Sequence, residues 1–273
     1  MAPNSRMILL LAWILAAPAL AQPAPGAGSG LNVLVFTRTE GFAHGSISDG
    51  ITMLLRIAAS EGHVITETES TALFTPVGLA SFDVVVWLST TGDVLDEAEQ
   101  SAFESYIRSG GGYVGIHAAA DCEYGWPWYG ELLGGGAWFQ AHPNIQDATL
   151  ELDSPGPPGA GFPDAQTTFR EEWYNFRANP RDAGVQVLMT LDEDSYNPGT
   201  GAMGEDHPIV WAHEFQGGRA FYTGLGHRAE TFQDPRFEEQ VRGALAWAAS
   251  AAEPFFFDDF ESGGTGAWDG GSP

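Results

Sequence analysis

Three short runs of apolar, mostly β-branched residues constrain the fold of this chain more than any other feature. They are LNVLVF at 31–36, FDVVVWL at 82–88 and YVGIH at 113–117, and a further strand is predicted over 63–68. Such continuous apolar runs are typical of strands in a parallel sheet that is covered on both faces. Amphipathic helices are predicted between them, from the cap Ser48 to Ser60 and over 95–109. This alternation predicts an α/β fold: an open, mostly parallel sheet with helices on both faces.

Beyond residue 134 the pattern changes to strand-like segments separated by turns. Strands are predicted over 145–152, 169–176, 185–191, 208–214 and 219–223. Gly217 and Gly218 separate the last two segments and indicate a hairpin. A final amphipathic helix is predicted over 235–249.

Both ends of the chain lie outside this pattern. Arg6, an apolar run over 7–17 and the sequence Ala19-Leu20-Ala21 are typical of a secretory signal peptide over 1–21, cleaved near Ala21. The apolar run is too short for a transmembrane helix. A Pro/Gly/Ser-rich linker over 22–30, a globular domain over 31–250 and an acidic, glycine-rich tail over 251–273 complete the predicted organisation. We therefore expect a secreted or periplasmic bacterial protein.

The charged residues exclude several functions. All eleven basic residues are arginines, and 36 acidic residues give a formal net charge of −25. Without lysine the chain cannot form a lysine Schiff base or a Walker A phosphate loop. An acidic chain also offers no electrostatic surface for nucleic acid or, after signal cleavage, for an anionic membrane. No glycine-rich dinucleotide fingerprint follows the first strand, so no nucleotide cofactor is expected.

Three histidines follow predicted strands. They are His44 after the first strand, His117 after the YVGIH run and His227 after the last strand, and Asp121 lies close behind His117. Ligands of open parallel sheets bind beyond the carboxyl ends of the strands, where these residues would meet. A single histidine is more often a structural residue, but convergence at one sheet edge predicts a joint site.

Aromatic rings occur beside acids and amides in two segments, around Trp126 and over Glu172, Tyr174 and Asn175. This combination suits a sugar, whose C–H face packs on a ring while its hydroxyl groups bind carboxylates and amides. The alternative is that the rings fill the core. Asp121 and Glu172 could act as acid and base, at a separation that the sequence does not give.

Three further questions stay open in the sequence. Cys122 is the single cysteine, so it is either a nucleophile or a buried inert thiol. No spacing typical of metal ligands occurs, and a divalent metal bound by separate loops stays open. Asp206 and His207 lie in a predicted loop, where a structural turn explains them nearly as well as a ligand site.

Several longer motifs resemble the ThuA-like, trehalose-utilisation family. They are GFAH at 41–44, GGGYVGIHAAAD at 110–121, EYGWPWYGELLGG at 123–135, EEWYNFRANPR at 171–181 and MGEDHPIVWAHEFQGGRAFYTGLGH at 203–227. The resemblance implies a three-layer α/β/α, flavodoxin-like domain similar to class I glutamine amidotransferases. Those enzymes carry a cysteine on the turn after a central strand; here that turn carries His117, and Cys122 lies five residues later. Thiol-dependent glutamine hydrolysis is therefore not expected. His227 and Glu230 fall where the late His–Glu pair of the amidotransferases would stand.

The resemblance also implies a role in handling disaccharides or keto sugars. His117 and His227 are then the acid/base candidates, with Glu172 beside them. The predicted ligand-binding residues are His44, Asp121, Trp126, Tyr174, Asn175, Asp206 and His207. Three hypotheses follow: an exported carbohydrate-active enzyme with a small sugar as its partner, a non-catalytic sugar-binding module on the same fold, and a thiol enzyme built on Cys122.

Overall fold

The computed structural model describes residues 30–154, 162 and 164–250. The predicted signal peptide 1–21 and tail 251–273 lie outside the described residues, as does the predicted linker apart from Gly30. The helices are α1 (Ile47–Glu61), α2 (Pro76–Leu79), α3 (Glu97–Arg108), α4 (Pro127–Leu132) and α5 (Pro235–Ala249). The strands are β1 (Asn32–Phe36), β2 (Val64–Thr68), β3 (Val84–Leu88), β4 (Gly112–Ile116), β5 (Phe139–Ala141), β6 (Gln146–Leu152), β7 (Gln166–Glu171), β8 (Asn175–Phe176), β9 (Gln186–Asp192), β10 (Pro208–Phe215) and β11 (Gly218–Thr223).

The predicted three-layer α/β/α fold is confirmed. In the described residues a nine-stranded sheet has the order β2-β1-β3-β4-β11-β10-β9-β6-β7, and its first five strands are parallel. The order of these five is that of flavodoxin-like sheets. Helices α1 and α5 contact each other, while α2 packs against α3. The strands β3 and β4 are buried throughout, as their unbroken apolar sequences predict.

The other half of the sheet is antiparallel. Strands β10 and β11 form the predicted hairpin, and β9, β6 and β7 extend the sheet from it. A separate two-stranded sheet pairs β5 with β8. The turn residues are Gln216 and Gly217, which both have a positive φ (+50° and +103°), while Gly218 of the predicted glycine pair is the first residue of β11 and pairs with Phe215.

Two predictions about single elements are corrected. Helix α1 begins at Ile47, so its N-cap residue is Ser46 and not the predicted Ser48. The Ser46 hydroxyl donates a hydrogen bond to the Gly226 carbonyl (3.1 Å), so it joins α1 to the loop after β11. The strand predicted over 169–176 is split into β7 and β8, which belong to different sheets.

Among the described residues, no helix combines the length and the apolar character that a membrane span requires.

Candidate active site

Three histidines meet beyond the carboxyl ends of the parallel strands. His117 follows β4 directly, His44 lies in the loop after β1, and His227 lies in the loop after β11. The ring centroid of His44 lies 4.9 Å from that of His117 and 5.2 Å from that of His227. The ring centroids of His117 and His227 are also 5.2 Å apart. The three histidines that were predicted to meet because each follows a strand of the parallel sheet therefore do lie together.

The backbone of His117 is held in a left-handed conformation. Its φ is +50°, which is uncommon for a residue with a side chain. Thr223 at the end of β11 pairs with Ile116 at the end of β4, which places Gly224 beside His117. The Tyr222 hydroxyl donates a hydrogen bond to the His117 carbonyl (2.8 Å). Strain of this kind persists where the surroundings fix it, and it is frequent at functional sites.

The same register fixes the tautomer of His117. Its Nδ1 lies 2.9 Å from the carbonyl oxygen of Gly224, and because a carbonyl can only accept, Nδ1 carries the proton. In the neutral ring Nε2 is then the nitrogen with a free lone pair. This atom is buried, has no hydrogen-bond partner and lies 3.5 Å from Glu172 Oε2.

Glu172 is the carboxylate that the histidines share. Its Oε2 lies 3.1 Å from His227 Nδ1, and its Oε1 lies 3.1 Å from His142 Nδ1. The contact with His227 is a close approach rather than an aligned hydrogen bond, since His227 Nδ1 has no hydrogen-bond partner by geometry. We call His44, His117, Glu172 and His227 the histidine–glutamate cluster.

Glu171 explains why the strand predicted over 169–176 breaks at Glu172. The buried Glu171 carboxylate accepts hydrogen bonds from the backbone N–H groups of Glu172 (3.0 Å), Gly226 (3.2 Å) and Arg228 (3.2 Å). It also accepts one from the Thr231 hydroxyl. Glu171 thus ties the end of β7 to both sides of His227 and turns Glu172 towards the histidines.

Gly226 permits this close approach. Its φ is +118°, and a Cβ at this position would lie 2.8 Å from Ile116 Cγ2. A side chain here would therefore push the His227 loop away from the end of β4.

The pKa values of the members of the histidine–glutamate cluster are shifted in different directions. Burial alone would raise the pKa of Glu172, but His117 and His227 lower it far below the ordinary value. Burial lowers the pKa of His227, yet the neighbouring Glu172 carboxylate outweighs burial and the net shift is upward. Burial, with His117 and His227 nearby, lowers the pKa of His44 to about 3. Glu172 is thus ionised at neutral pH, while His44 is a neutral imidazole.

Aromatic side chains form the rim of the site. Phe42 is 66% exposed and packs edge-on against His44, with centroids 4.9 Å apart. The Tyr174 ring lies 4.3 Å from His117 on one side and 4.3 Å from Phe139 on the other. His142 is exposed beside Tyr174, at the end of β5. The small β5–β8 sheet therefore supplies one wall of the site.

Asp121 lies at the same rim. Its carboxylate accepts a hydrogen bond from the Tyr124 hydroxyl (2.6 Å) and interacts electrostatically with His117 and His142. Burial raises the pKa of Asp121. The Arg177 guanidinium stacks over the Tyr124 ring, 4.1 Å from its centroid.

Four residues predicted to bind ligand are instead engaged in internal contacts. Trp126 is buried, stacks on Trp128 and donates from Nε1 to Glu104 (3.1 Å). The amide of Asn175 donates to the carbonyls of Pro198 and Thr200, Asp206 pairs with Arg181, and the buried His207 donates from Nε2 to the Tyr174 carbonyl. These contacts give each of the four side chains a structural role.

Glu230 and Cys122 also stand apart from the site chemistry. Glu230 pairs with Arg228, so the carboxylate beside His227 is Glu172 and not the one that the amidotransferase pattern implies. The Cys122 thiol is fully buried, and burial raises its pKa well above the ordinary value. A buried, protonated thiol is a poor nucleophile.

The prediction that ligands bind beyond the carboxyl ends of the parallel strands did not identify Phe42 and His142 as site residues. Phe42 lies within the GFAH motif but has no titratable group, and His142 follows a strand that lies outside the main sheet. Among the described residues, the histidine–glutamate cluster offers four possible metal-ligand atoms, all within 4.8 Å of one another.

Comparisons with known proteins agree with this architecture. The family model described as trehalose utilisation, ThuA, matches residues 32–248. A ThuA-like protein from Bacteroides uniformis is 26% identical, with a TM-score of 0.67 and coverage of 83% of this chain and 95% of that chain. A ThuA-like protein from Parabacteroides merdae is 18% identical, with a TM-score of 0.64 and coverage of 82% and 92%.

A β-galactosidase from Bacillus circulans shares the fold alone, at 10% identity and a TM-score of 0.51; the match covers 81% of this chain and 31% of that one. No curated protein matches the chain. The domain is class I glutamine amidotransferase-like in fold, with His117 on the turn after the central strand β4. Since the family model covers most of the sequence, the chain belongs to the ThuA family.

Proposed function

We propose that this protein is an exported enzyme that acts on a small, neutral carbohydrate, a disaccharide or a keto sugar, by acid/base chemistry at the histidine–glutamate cluster. The observation that carries the proposal is Glu172, whose two carboxylate oxygens lie within 3.5 Å of ring nitrogens of three different histidines. Proton transfer between positioned groups needs heavy-atom contacts of about this length. The family description, trehalose utilisation, supports a sugar as the substrate class.

The surroundings of the cluster favour a neutral ligand over a phosphorylated one. The chain has no lysine, and two arginines beside the site are engaged: Arg177 stacks on Tyr124, and Arg228 pairs with Glu230. In the part of the chain that the structure describes, neither of these two arginines is therefore free to bind a phosphate group. The exposed face of Phe42 offers a surface for the C–H side of a sugar ring, and Asp121 offers a hydroxyl acceptor.

The proposed chemistry is proton abstraction beside a carbonyl group. In a keto sugar the C–H next to the carbonyl is acidic, and Nε2 of His117, which has a free lone pair, accepts that proton. The Glu172 carboxylate, 3.5 Å away, stabilises the imidazolium that forms. A histidine N–H donates to the carbonyl oxygen and stabilises the negative charge that develops there. Return of the proton to the same carbon or a different one gives back the substrate or an isomer, so atoms and charge balance without a further reactant.

Exchange of carbon-bound hydrogen tests this proposal. The purified protein is incubated in D2O with trehalose, other disaccharides and their keto derivatives, and deuterium incorporation is followed by NMR. We expect exchange with a keto sugar, and a loss of at least ~100-fold in His117→Gln, the range for removal of a general base. The matched control is His63→Gln, because His63 lies before β2 at the opposite edge of the sheet.

Two outcomes of this experiment separate the enzyme from the sugar-binding module. If the protein binds a sugar but never exchanges or converts it, the non-catalytic sugar-binding module replaces the enzyme. If no carbohydrate binds at all, both are wrong.

Export is tested by expressing the full chain in a Gram-negative host. A mature protein in the periplasm that begins near Gln22 is expected, and a full-length cytoplasmic protein would contradict export.

A further inference from the structure

Three buried ring nitrogens of the histidine–glutamate cluster have no hydrogen-bond partner. They are His44 Nδ1, His117 Nε2 and His227 Nδ1. Buried polar atoms in folded proteins are nearly always paired, so three nitrogens without a hydrogen bond around one carboxylate point to a shared partner. Because the His117 tautomer leaves a lone pair on Nε2, that partner must accept a lone pair there rather than offer another one.

We propose that the histidine–glutamate cluster is a binding site for one divalent transition-metal ion. The four possible ligand atoms lie within 4.8 Å of one another, and each comes from a different loop of the domain. The inference deepens the proposed function, since it rests on the same site, but it does not depend on which carbohydrate binds there.

The distances fit an ion with a modest adjustment of the side chains. A tetrahedral ion with bonds of about 2.1 Å places neighbouring ligand atoms about 3.4 Å apart. Glu172 Oε2 lies 3.5 Å from His117 Nε2 and 3.1 Å from His227 Nδ1, close to that spacing. His44 lies in a loop, where rotation of its ring can close the remaining distance.

The donor atoms select the kind of ion. Imidazole nitrogens with one carboxylate oxygen suit Zn²⁺, Ni²⁺, Co²⁺ or Fe²⁺, whereas Mg²⁺ and Ca²⁺ prefer oxygen ligands alone. The negative charge of the Glu172 carboxylate offsets part of the charge of the ion, and the buried Glu171 carboxylate next to it offsets more.

Outer contacts already hold these donors in place. His117 donates from Nδ1 to the Gly224 carbonyl, an arrangement common for metal-binding histidines because it fixes the ring and leaves Nε2 free. The second oxygen of Glu172 lies 3.1 Å from His142 Nδ1, which also lies 2.9 Å from the Pro143 carbonyl oxygen, so the carboxylate has one contact outside the ligand set. His142 and Asp121 are outside the proposed ligand set, so they remain available for proton transfer when the ion is bound.

Metal binding to the full chain tests this inference without any sugar. The protein is stripped with a chelator and titrated with ZnCl2, NiCl2, CoCl2 and MgCl2 by calorimetry, with elemental analysis after dialysis. We expect one transition-metal ion per chain, bound with micromolar or tighter affinity, and weaker binding of Mg²⁺. Glu172→Gln and His44→Gln should each weaken binding by more than ~100-fold, beyond the cost of losing an outer contact.

Two controls keep the result specific. His63→Gln should bind the ion as the unchanged protein does, and circular dichroism should show that each variant is folded. The Co²⁺ form should show the visible absorption of a four-coordinate site, which Glu172→Gln should lose. Binding that is weak, or equal in all variants, would mean adventitious binding to surface carboxylates and would overturn the inference.

The failure of this inference can be told apart from failure of the proposed function. If hydrogen exchange occurs in chelator-treated protein and no ion binds, the acid/base proposal stands and the metal site is wrong. If an ion binds at the cluster but no sugar is bound or changed with or without it, the metal site stands and the carbohydrate proposal is wrong.

Discussion

Removal of the Glu171 carboxylate should destabilise the protein more than removal of any exposed acid. Glu171 is fully buried and accepts hydrogen bonds from three backbone N–H groups, those of Glu172, Gly226 and Arg228, and from the Thr231 hydroxyl. In Glu171→Ala the Thr231 hydroxyl can rotate towards another acceptor, but the three backbone N–H groups lose theirs.

The magnitude follows from those three groups. A buried donor left without a partner costs about 1–3 kcal/mol, and water entering the space of the lost side chain keeps each cost near the lower limit. We therefore expect Glu171→Ala to lower the free energy of unfolding by about 3–5 kcal/mol. Glu171→Gln keeps the oxygen that accepts three of the bonds and loses the one from Glu172, so about 1–2 kcal/mol is expected.

Urea unfolding followed by tryptophan fluorescence measures both changes. The matched control is Glu205→Ala, because Glu205 is an exposed acid in a loop and its removal should change stability by less than about 0.5 kcal/mol. A loss below about 1 kcal/mol for Glu171→Ala, or a loss equal to that of the control, would refute the hydrogen-bond accounting.

Three further outcomes are expected. Cys122 should resist thiol reagents in the folded protein at mildly alkaline pH and react fully in urea, because burial raises the pKa of its thiol; rapid labelling with loss of activity would restore the cysteine-enzyme hypothesis. Trp126→Phe should lower stability by about 1–2 kcal/mol through loss of ring area and the bond to Glu104, without changing sugar affinity. The hydrogen bond from Arg181 lowers the pKa of Asp206, so this pair stabilises the fold above the unfolded pKa of about 3.9 and loses that effect as the pH falls. The stability difference between the unchanged protein and Asp206→Asn, less than about 1 kcal/mol for so exposed a pair, should therefore vanish on acidification, and a difference that persists would contradict this origin.

The parallel half of the fold could be predicted because its signals are local. Continuous apolar runs mark β3 and β4, and the capping box formed by Asp96 and Glu99 marks the start of α3. Once the strand ends are known, the rule for parallel sheets places His44, His117 and His227 together with no further information.

The rest of the site depends on contacts between distant residues. The break before Glu172 arises from bonds between Glu171 and the loop after β11, which no local pattern records. A core tryptophan and a sugar-binding one look alike in sequence, and only the packing of Trp126 in the structure decides between them.

The four members of the histidine–glutamate cluster stand at positions 44, 117, 172 and 227, each in a different part of the chain. No short segment of the domain contains the cluster, so it exists only once the loops after β1, β4, β7 and β11 have come together. A ligand that binds it stabilises the finished fold alone, by an amount set by its free concentration. A chain that is exported unfolded would thus bind its ion only after it has folded outside the cytoplasm. The metal content of the compartment where it folds, rather than that of the cytoplasm, would then decide which ion the protein carries.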